Sequence, residues 1–193
     1  MYSLEEYENL KTKYGSYASW AIWDENDQKD TSVIDRYFDQ LSPRYVFVGL
    51  NISAPLRDAS WSNFHAGRHD RKLKYACNDT VLRGSFLTDL FKGIPEAKSF
   101  RVNGMLTNDI IKENVSFFEQ EMRDIKLKTE STLVILGGMA SRYFDDYFKH
   151  LFNNEVIKYR HYSSYGTDRE WVEGLWNQLD IKQDFDPVIK RYH

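Results

Sequence analysis

Two short runs, Tyr45-Val46-Phe47-Val48-Gly49-Leu50 and Thr132-Leu133-Val134-Ile135-Leu136, are apolar along almost their whole length and rich in β-branched and aromatic side chains. A strand with one wet face alternates apolar and polar residues. A strand without that alternation is covered on both faces, the habit of parallel sheets sandwiched by helices. Gly84 to Thr88 and Glu155 to Tyr159 read as two further strands. The segments between them carry helical spacing. Within residues 107–126, Ile111, Val115, Phe118, Met122 and Ile125 step by four, three, four and three, which is one helix face. Ala140, Tyr143, Phe144, Tyr147 and Leu151 mark another helix. A last one opens at Thr167, where Glu170 completes a capping-box pattern ahead of Val172, Leu175, Trp176 and Leu179.

Strands alternating with helices predict an α/β fold: three layers, α/β/α, around a central four-stranded, mainly parallel sheet. A chain of 193 residues suits one domain spanning 1–193. Residues 1–42, with helices expected at Leu4 to Tyr14 and Ser32 to Leu41, form an N-terminal helical elaboration. A net charge of −3 argues against coating duplex DNA by charge alone, so any nucleic-acid contact needs a local basic patch. The single cysteine excludes an internal disulfide and a cysteine-based zinc site, and suits a reducing compartment. No apolar run approaches the ~20 residues of a membrane span. The opening residues show no signal-peptide pattern. The expectation is a cytoplasmic monomer with no membrane partner and no cofactor.

In parallel α/β sheets, ligands bind beyond the carboxyl ends of the strands. Four places qualify: residues 51–64, residues 89–92, Gly137-Gly138, and residues 161–166. Asn51 follows the first strand directly. Its amide can orient a water, or can simply cap a turn that Gly49 and Pro55 shape. His161 follows the last strand, where it can donate to developing negative charge or merely satisfy a carbonyl. The hydroxyls and backbone N–H groups around it suit a phosphate. Arg68-His69-Asp70-Arg71-Lys72-Leu73-Lys74 is the one compact basic cluster, either a phosphate contact or a solvated helix face. His65 and His69, four apart, have a spacing that binds metal on a helix, but no third ligand is spaced for it, so no metal is expected. Gly137-Gly138 is not a dinucleotide fingerprint, no Walker or GxSxG pattern is present, and Cys77 lacks an activating context.

Taken in order, these loops resemble the uracil-DNA glycosylase superfamily. Gly49-Leu50-Asn51 is similar to its first motif, with Ile52 in place of a proline. His161-Tyr162-Ser163 is similar to its last, with Tyr162 in place of a proline. Phe86 to Lys92 is similar to the stretch after the second core strand, and Thr132 to Ala140 to the strand and glycine turn before the next helix. The resemblance spans roughly residues 42–181 and implies a DNA glycosylase that flips a damaged or modified base out of DNA and cleaves its N-glycosidic bond with water, without a metal. By carry-over, Asn51 would position the water. His161 would hydrogen-bond the leaving base, worth about 2.7–4 kcal/mol if it acts like an oxyanion donor. Phe64 would stack on the base, with Leu50, Ile52 and Asp89 around it. Ser163, Ser164 and Thr167 would hold phosphate, helped by Arg68, Arg71 and Lys72, and Tyr165 would wedge into the vacated stack.

Asp89 stands where relatives often place an Asn that reads the base edge. An ionised Asp only accepts hydrogen bonds, so it would select a base with a donor there, or else serve the structure. Two other functions fit the same residues: a catalytically silent module that binds nucleotides or nucleic acid, and a hydrolase or transferase of free nucleosides. DNA is the expected partner of the first two, which a steep salt dependence would separate from the third.

Overall fold

The computed structural model describes residues 1–53 and 59–192. Pro55 lies outside the described residues. The sheet contains β1 (Ser19–Trp20), β2 (Tyr45–Asn51), β3 (Phe86–Phe91), β4 (Thr132–Leu136) and β5 (Glu155–Tyr159), in the spatial order β1-β3-β2-β4-β5. β3, β2, β4 and β5 are mutually parallel, and β1 joins the edge of β3 antiparallel. Among the described residues the expected four strands are present with a fifth added, but the one read at Gly84 to Thr88 lies at Phe86–Phe91, so that Asp89 falls within the strand and not after it. β1 has two residues, too few for any period to show in sequence.

Eight α-helices accompany the sheet among the described residues: α1 (Leu4–Tyr14), α2 (Ser32–Arg36), α3 (Arg71–Cys77), α4 (Ser99–Met105), α5 (Asn108–Asp124), α6 (Gly138–Tyr143), α7 (Asp168–Gln178) and α8 (Phe185–Tyr192). The pleat sends successive side chains to opposite faces. Val46, Val48, Leu133 and Ile135 join one core with Tyr7 of α1, Ile34 of α2, Phe118 of α5 and Ala140 of α6. Phe47, Val134 and Leu136 join the other with Leu73 of α3, Trp171 and Trp176 of α7 and Phe185 of α8. The result is a three-layer α/β/α arrangement. No described helix is long and apolar enough to cross a membrane.

The N-terminal segment packs beneath the sheet. Tyr7, Leu10 and Tyr14 of α1 enter the first core with Val33 and Ile34, and the Tyr2 hydroxyl donates to the Ile125 carbonyl at 2.5 Å. Both the Ser3/Glu6 and Thr167/Glu170 capping boxes form. Two expected helices are shorter than their periodicity implies. The one from Ser32 ends at Arg36 and continues as a 3-10 turn, Phe38–Gln40. The one containing Ala140 passes from α6 into a π turn, Phe144–Phe148.

Candidate active site

β2, β4 and β5 end on one side of the sheet, and their terminal residues share a cleft of about 510 Å3. Leu50 and Asn51 come from β2, Gly137 and Gly138 from the turn after β4, and His161 to Ser163 from the loop after β5. The opposite wall holds Asn63, Arg68, His69, Asp70 and Asp89.

Asn51 is half-buried, and its orientation is decided by its surroundings. Nδ2 donates toward the carbonyls of Ile52 (2.9 Å), Ile94 (2.7 Å) and Glu96 (2.8 Å). Three carbonyls around one end of an amide identify that end as NH2. The amide thus ties the end of β2 to the loop after β3, and Oδ1 remains as an acceptor without a hydrogen bond among the described residues. Ile52 serves this arrangement through its carbonyl, which also accepts from the Glu96 N–H at 3.1 Å.

His161 has an equally defined state. The Ser163 N–H donates to Nδ1 at 3.1 Å, and the Ser163 hydroxyl lies 2.7 Å from the same atom. A nitrogen accepting a backbone N–H carries no proton, so neutral His161 bears its hydrogen on Nε2. Burial lowers its pKa to about 4, with the nearby charge of His69 adding to the effect. At neutral pH the ring is an uncharged donor through Nε2. It fits because the turn after β4 is glycine: Gly137 has φ +101°, and a Cβ there would lie 3.3 Å from the His161 Cβ.

The inner wall is acidic. Asp89 lies on β3 opposite Gly49 in the β2–β3 register. Its Oδ2 accepts from Asn63 Nδ2 at 2.9 Å. Burial raises its pKa to about 6, which the Asn63 bond and Lys92 oppose and the charges of Glu121 and Asp70 reinforce. Asp70 accepts from the Gly67 N–H at 2.7 Å and is also raised by burial to about 6. Tyr162 stacks on His161 with ring centroids 4.1 Å apart. Burial keeps its hydroxyl protonated well beyond neutral pH.

Several expected residues take other positions. Phe64 is buried in the second core with φ +65°, and Tyr162, against which its ring sits edge-on at 6.3 Å, forms the cleft wall instead. The basic cluster lies mostly in α3 and is turned inward. Arg71 pairs with Asp168 at 2.6 Å. Lys72 donates to the Ser164 and Gly166 carbonyls, both at 3.3 Å, and Lys74 to those of Asp24 and Glu25. Arg68 and His69 stay exposed at the rim, and the Arg71 side chain is partly exposed despite its ion pair. His65 and His69 precede α3 rather than sharing a helix.

The start of α7 is also occupied. The Thr167 hydroxyl accepts from the Glu170 N–H at 3.2 Å and its own N–H donates to the Glu170 carboxylate at 2.8 Å, so an acidic group holds the place given above to phosphate. Ser163 serves His161, and Ser164 buries an Oγ that has no hydrogen-bond partner among the described residues. Tyr165 is fully exposed beside the cleft. Asn63 and Tyr162 fall inside the stretches that strand-end reasoning singles out but are given no role there, and Asp70 lies outside them, delivered to the cleft by the loop ahead of α3.

No protein-family model matches this chain, and no curated protein matches it.

Proposed function

We propose that the protein hydrolyses an N-glycosidic bond of a nucleotide in DNA, as a divergent relative of the uracil-DNA glycosylase superfamily. One observation carries this reading: a fixed acceptor, Asn51 Oδ1, and a fixed neutral donor, His161 Nε2–H, line one cleft at the ends of strands that flank β4. Water adds to the anomeric carbon while the carbon–nitrogen bond breaks and its electron pair departs with the base, which takes up, through solvent, the proton the water releases. Asn51 Oδ1 accepts a hydrogen bond from that water and orients it. His161 Nε2–H donates to the oxygen or nitrogen on which the base gathers negative charge. A neutral donor suits this role because it stays on at physiological pH and stabilises the charge without giving up its proton. Tyr162, beside His161, offers a face for stacking, and Tyr165 stands exposed at the mouth.

The inward-facing α3 cations favour a second substrate for the same chemistry, a free nucleoside. Lys72 and Lys74 are buried with their ammonium groups on backbone carbonyls and Arg71 is paired with Asp168, which leaves Arg68 as the unpaired cation of this cluster, among the described residues, to meet a phosphate backbone. The test is a panel of oligonucleotides and matching nucleosides, scored for abasic sites or released base, beside an Asn51→Ala, His161→Ala double variant. Cleavage of oligonucleotides that falls steeply with salt and disappears in the variant supports the DNA reading. Cleavage of nucleosides alone, insensitive to salt, supports the second. A folded protein that cleaves neither refutes both.

A further inference from the structure

The inner wall of the cleft offers the carboxylates of Asp89 and Asp70, and Arg68 on the same side makes no ion pair with either among the described residues. Asp89 is 4% exposed, yet it lines the cleft, and no hydrogen bond reaches its Oδ1 among the described residues. Its other oxygen is held by Asn63, whose own groups are all engaged: Nδ2 also donates to the Tyr17 carbonyl at 2.8 Å, and Oδ1 accepts from the Phe64 N–H at 3.1 Å. That network sets the plane of the carboxylate. Gly49 leaves the space, since a Cβ there would lie 2.2 Å from Asp89 Oδ1.

Lys92, the nearest cation, is committed to the opposite face of β3. Its ammonium donates to Glu121 Oε2 at 2.8 Å and to the backbone carbonyl of Asp89, not to its carboxylate. Glu121 in turn accepts from Thr88, the residue before Asp89, whose side chain the pleat sends to the other face. Asp70 adds a second buried carboxylate to the same wall, and the Tyr162 hydroxyl makes no described hydrogen bond. A carboxylate that lines a cleft and keeps one oxygen free of hydrogen bonds among the described residues is completed by a ligand that brings a donor.

We infer that this wall reads the edge of the base, and that the protein selects a nucleobase bearing an exocyclic amino group, a cytosine- or adenine-type ring, whose N–H groups are received by Asp89 Oδ1 with Asp70 and the Tyr162 hydroxyl beside it. The inference rests on the N-glycosidic reading of the site and names its substrate class. A keto base of the same shape, uracil or hypoxanthine, would set its carbonyl oxygen against the carboxylate, acceptor against acceptor. Sites built to hydrogen-bond a substrate N–H reject analogues without one by factors of about 10,000. A wall that opens onto a cleft, as this one does, is expected to reach roughly 100-fold.

The experiment uses two matched pairs, cytosine against uracil and adenine against hypoxanthine, each as a single base in the same single-stranded oligonucleotide and as a free nucleoside. Cleavage (kcat/KM) and nucleoside binding by calorimetry are measured for the wild type and Asp89→Asn. The expected result is preference for the amino member of each pair, collapsing to within about tenfold in Asp89→Asn, because an amide can turn a donor toward a keto oxygen. Cleavage with equal or greater preference for the keto member overturns the inference and leaves the N-glycosidic reading standing. An amino preference that survives in Asp89→Asn also overturns it, since another residue is then the reader. Amino-selective binding that is lost in Asp89→Asn, without any cleavage, refutes the hydrolase and upholds the selectivity. No cleavage and no selective binding refute both. Should Asp89→Asn fail to fold, the wild-type preference decides alone.

Discussion

Gly49→Ala is the sharpest perturbation of this architecture, because it adds one methyl and removes no functional group. Gly49 and Asp89 are partners in the parallel β2–β3 ladder, so neither backbone can slide without breaking ladder hydrogen bonds. The added Cβ would lie 2.2 Å from Asp89 Oδ1, where ordinary contact begins near 3.4 Å. The carboxylate must therefore retreat by roughly 1 Å, which pulls Oδ2 off Asn63 Nδ2. Losing a hydrogen bond to a charged group costs about 1.5–3 kcal/mol, and overpacking costs about 1–3 kcal/mol, against roughly 0.5–1 kcal/mol regained by replacing a strand glycine. The net expectation is a loss of about 2–4 kcal/mol, or roughly 5–15 °C in melting temperature for a domain of this size. Urea unfolding followed by tryptophan fluorescence suits the measurement, because Trp20, Trp23, Trp61, Trp171 and Trp176 are all buried. Gly104→Ala is the control: it lies in α4 with nothing within 4 Å of the new methyl. That change is expected to stabilise by about 0.4–1 kcal/mol. If Gly49→Ala melts within about 1 °C of the wild type, the close approach of β2 to Asp89 is wrong, and with it the account of how Oδ1 is presented to the cleft.

Three further outcomes follow from the same geometry. The folded carboxyl of Asp89 titrates near about 6, above the unfolded value of about 3.9. Its contribution to stability is therefore present below pH ~3.9 and lost as pH rises through 6, so Asp89→Asn should gain on the wild type across that window by on the order of 2 kcal/mol. A difference between the two that is constant from pH 4 to pH 7 in denaturant titrations would contradict the burial argument. His161, lowered to about 4, works in the opposite direction: its contribution is complete above about 6.5 and lost as pH falls toward 4. Nitrogen-15 NMR should find its proton on Nε2 throughout pH 5–8, and protonation near pH 6.5 would refute the assignment. Lys72→Met removes the ammonium that holds the Ser164 and Gly166 carbonyls, and should cost about 1–3 kcal/mol of stability and slow turnover. The salt slope of any DNA binding should not change, whereas a phosphate-contacting Lys72 would lower that slope by about 1.

The parts of this molecule that are legible in sequence are those whose surroundings repeat along the chain. Val46, Val48, Leu133 and Ile135 face one core while Phe47, Val134 and Leu136 face the other, so both faces of these strands are buried and the runs read as parallel strands before any contact is known. Asn51 and His161 were identifiable because a strand end is itself a location: whatever follows a parallel strand stands at the binding edge of the sheet. The basic cluster illustrates the limit. Its composition suggests an exterior surface, yet Lys72 and Lys74 are nearly buried because their stems cross apolar ground and their ammonium groups end on backbone carbonyls contributed from residues 24–25 and 164–166. No local pattern encodes that, since the acceptors are distant in sequence and belong to the main chain. The same holds for Asn63 and Asp70, which reach Asp89 only after the loop ahead of α3 has folded against β3. The cleft therefore joins two kinds of residue. Its proposed chemistry sits on strand ends, whose positions the fold dictates. Its proposed selectivity sits on Asp89 within β3, whose carboxylate is held by Asn63 from the loop ahead of α3. That division is why the proposed glycosidic chemistry rests on Asn51 and His161, which strand ends place, while the proposed choice of base, open at Asp89 in the sequence, gains its geometric argument from Gly49, Asn63, Asp70 and Tyr162 around it.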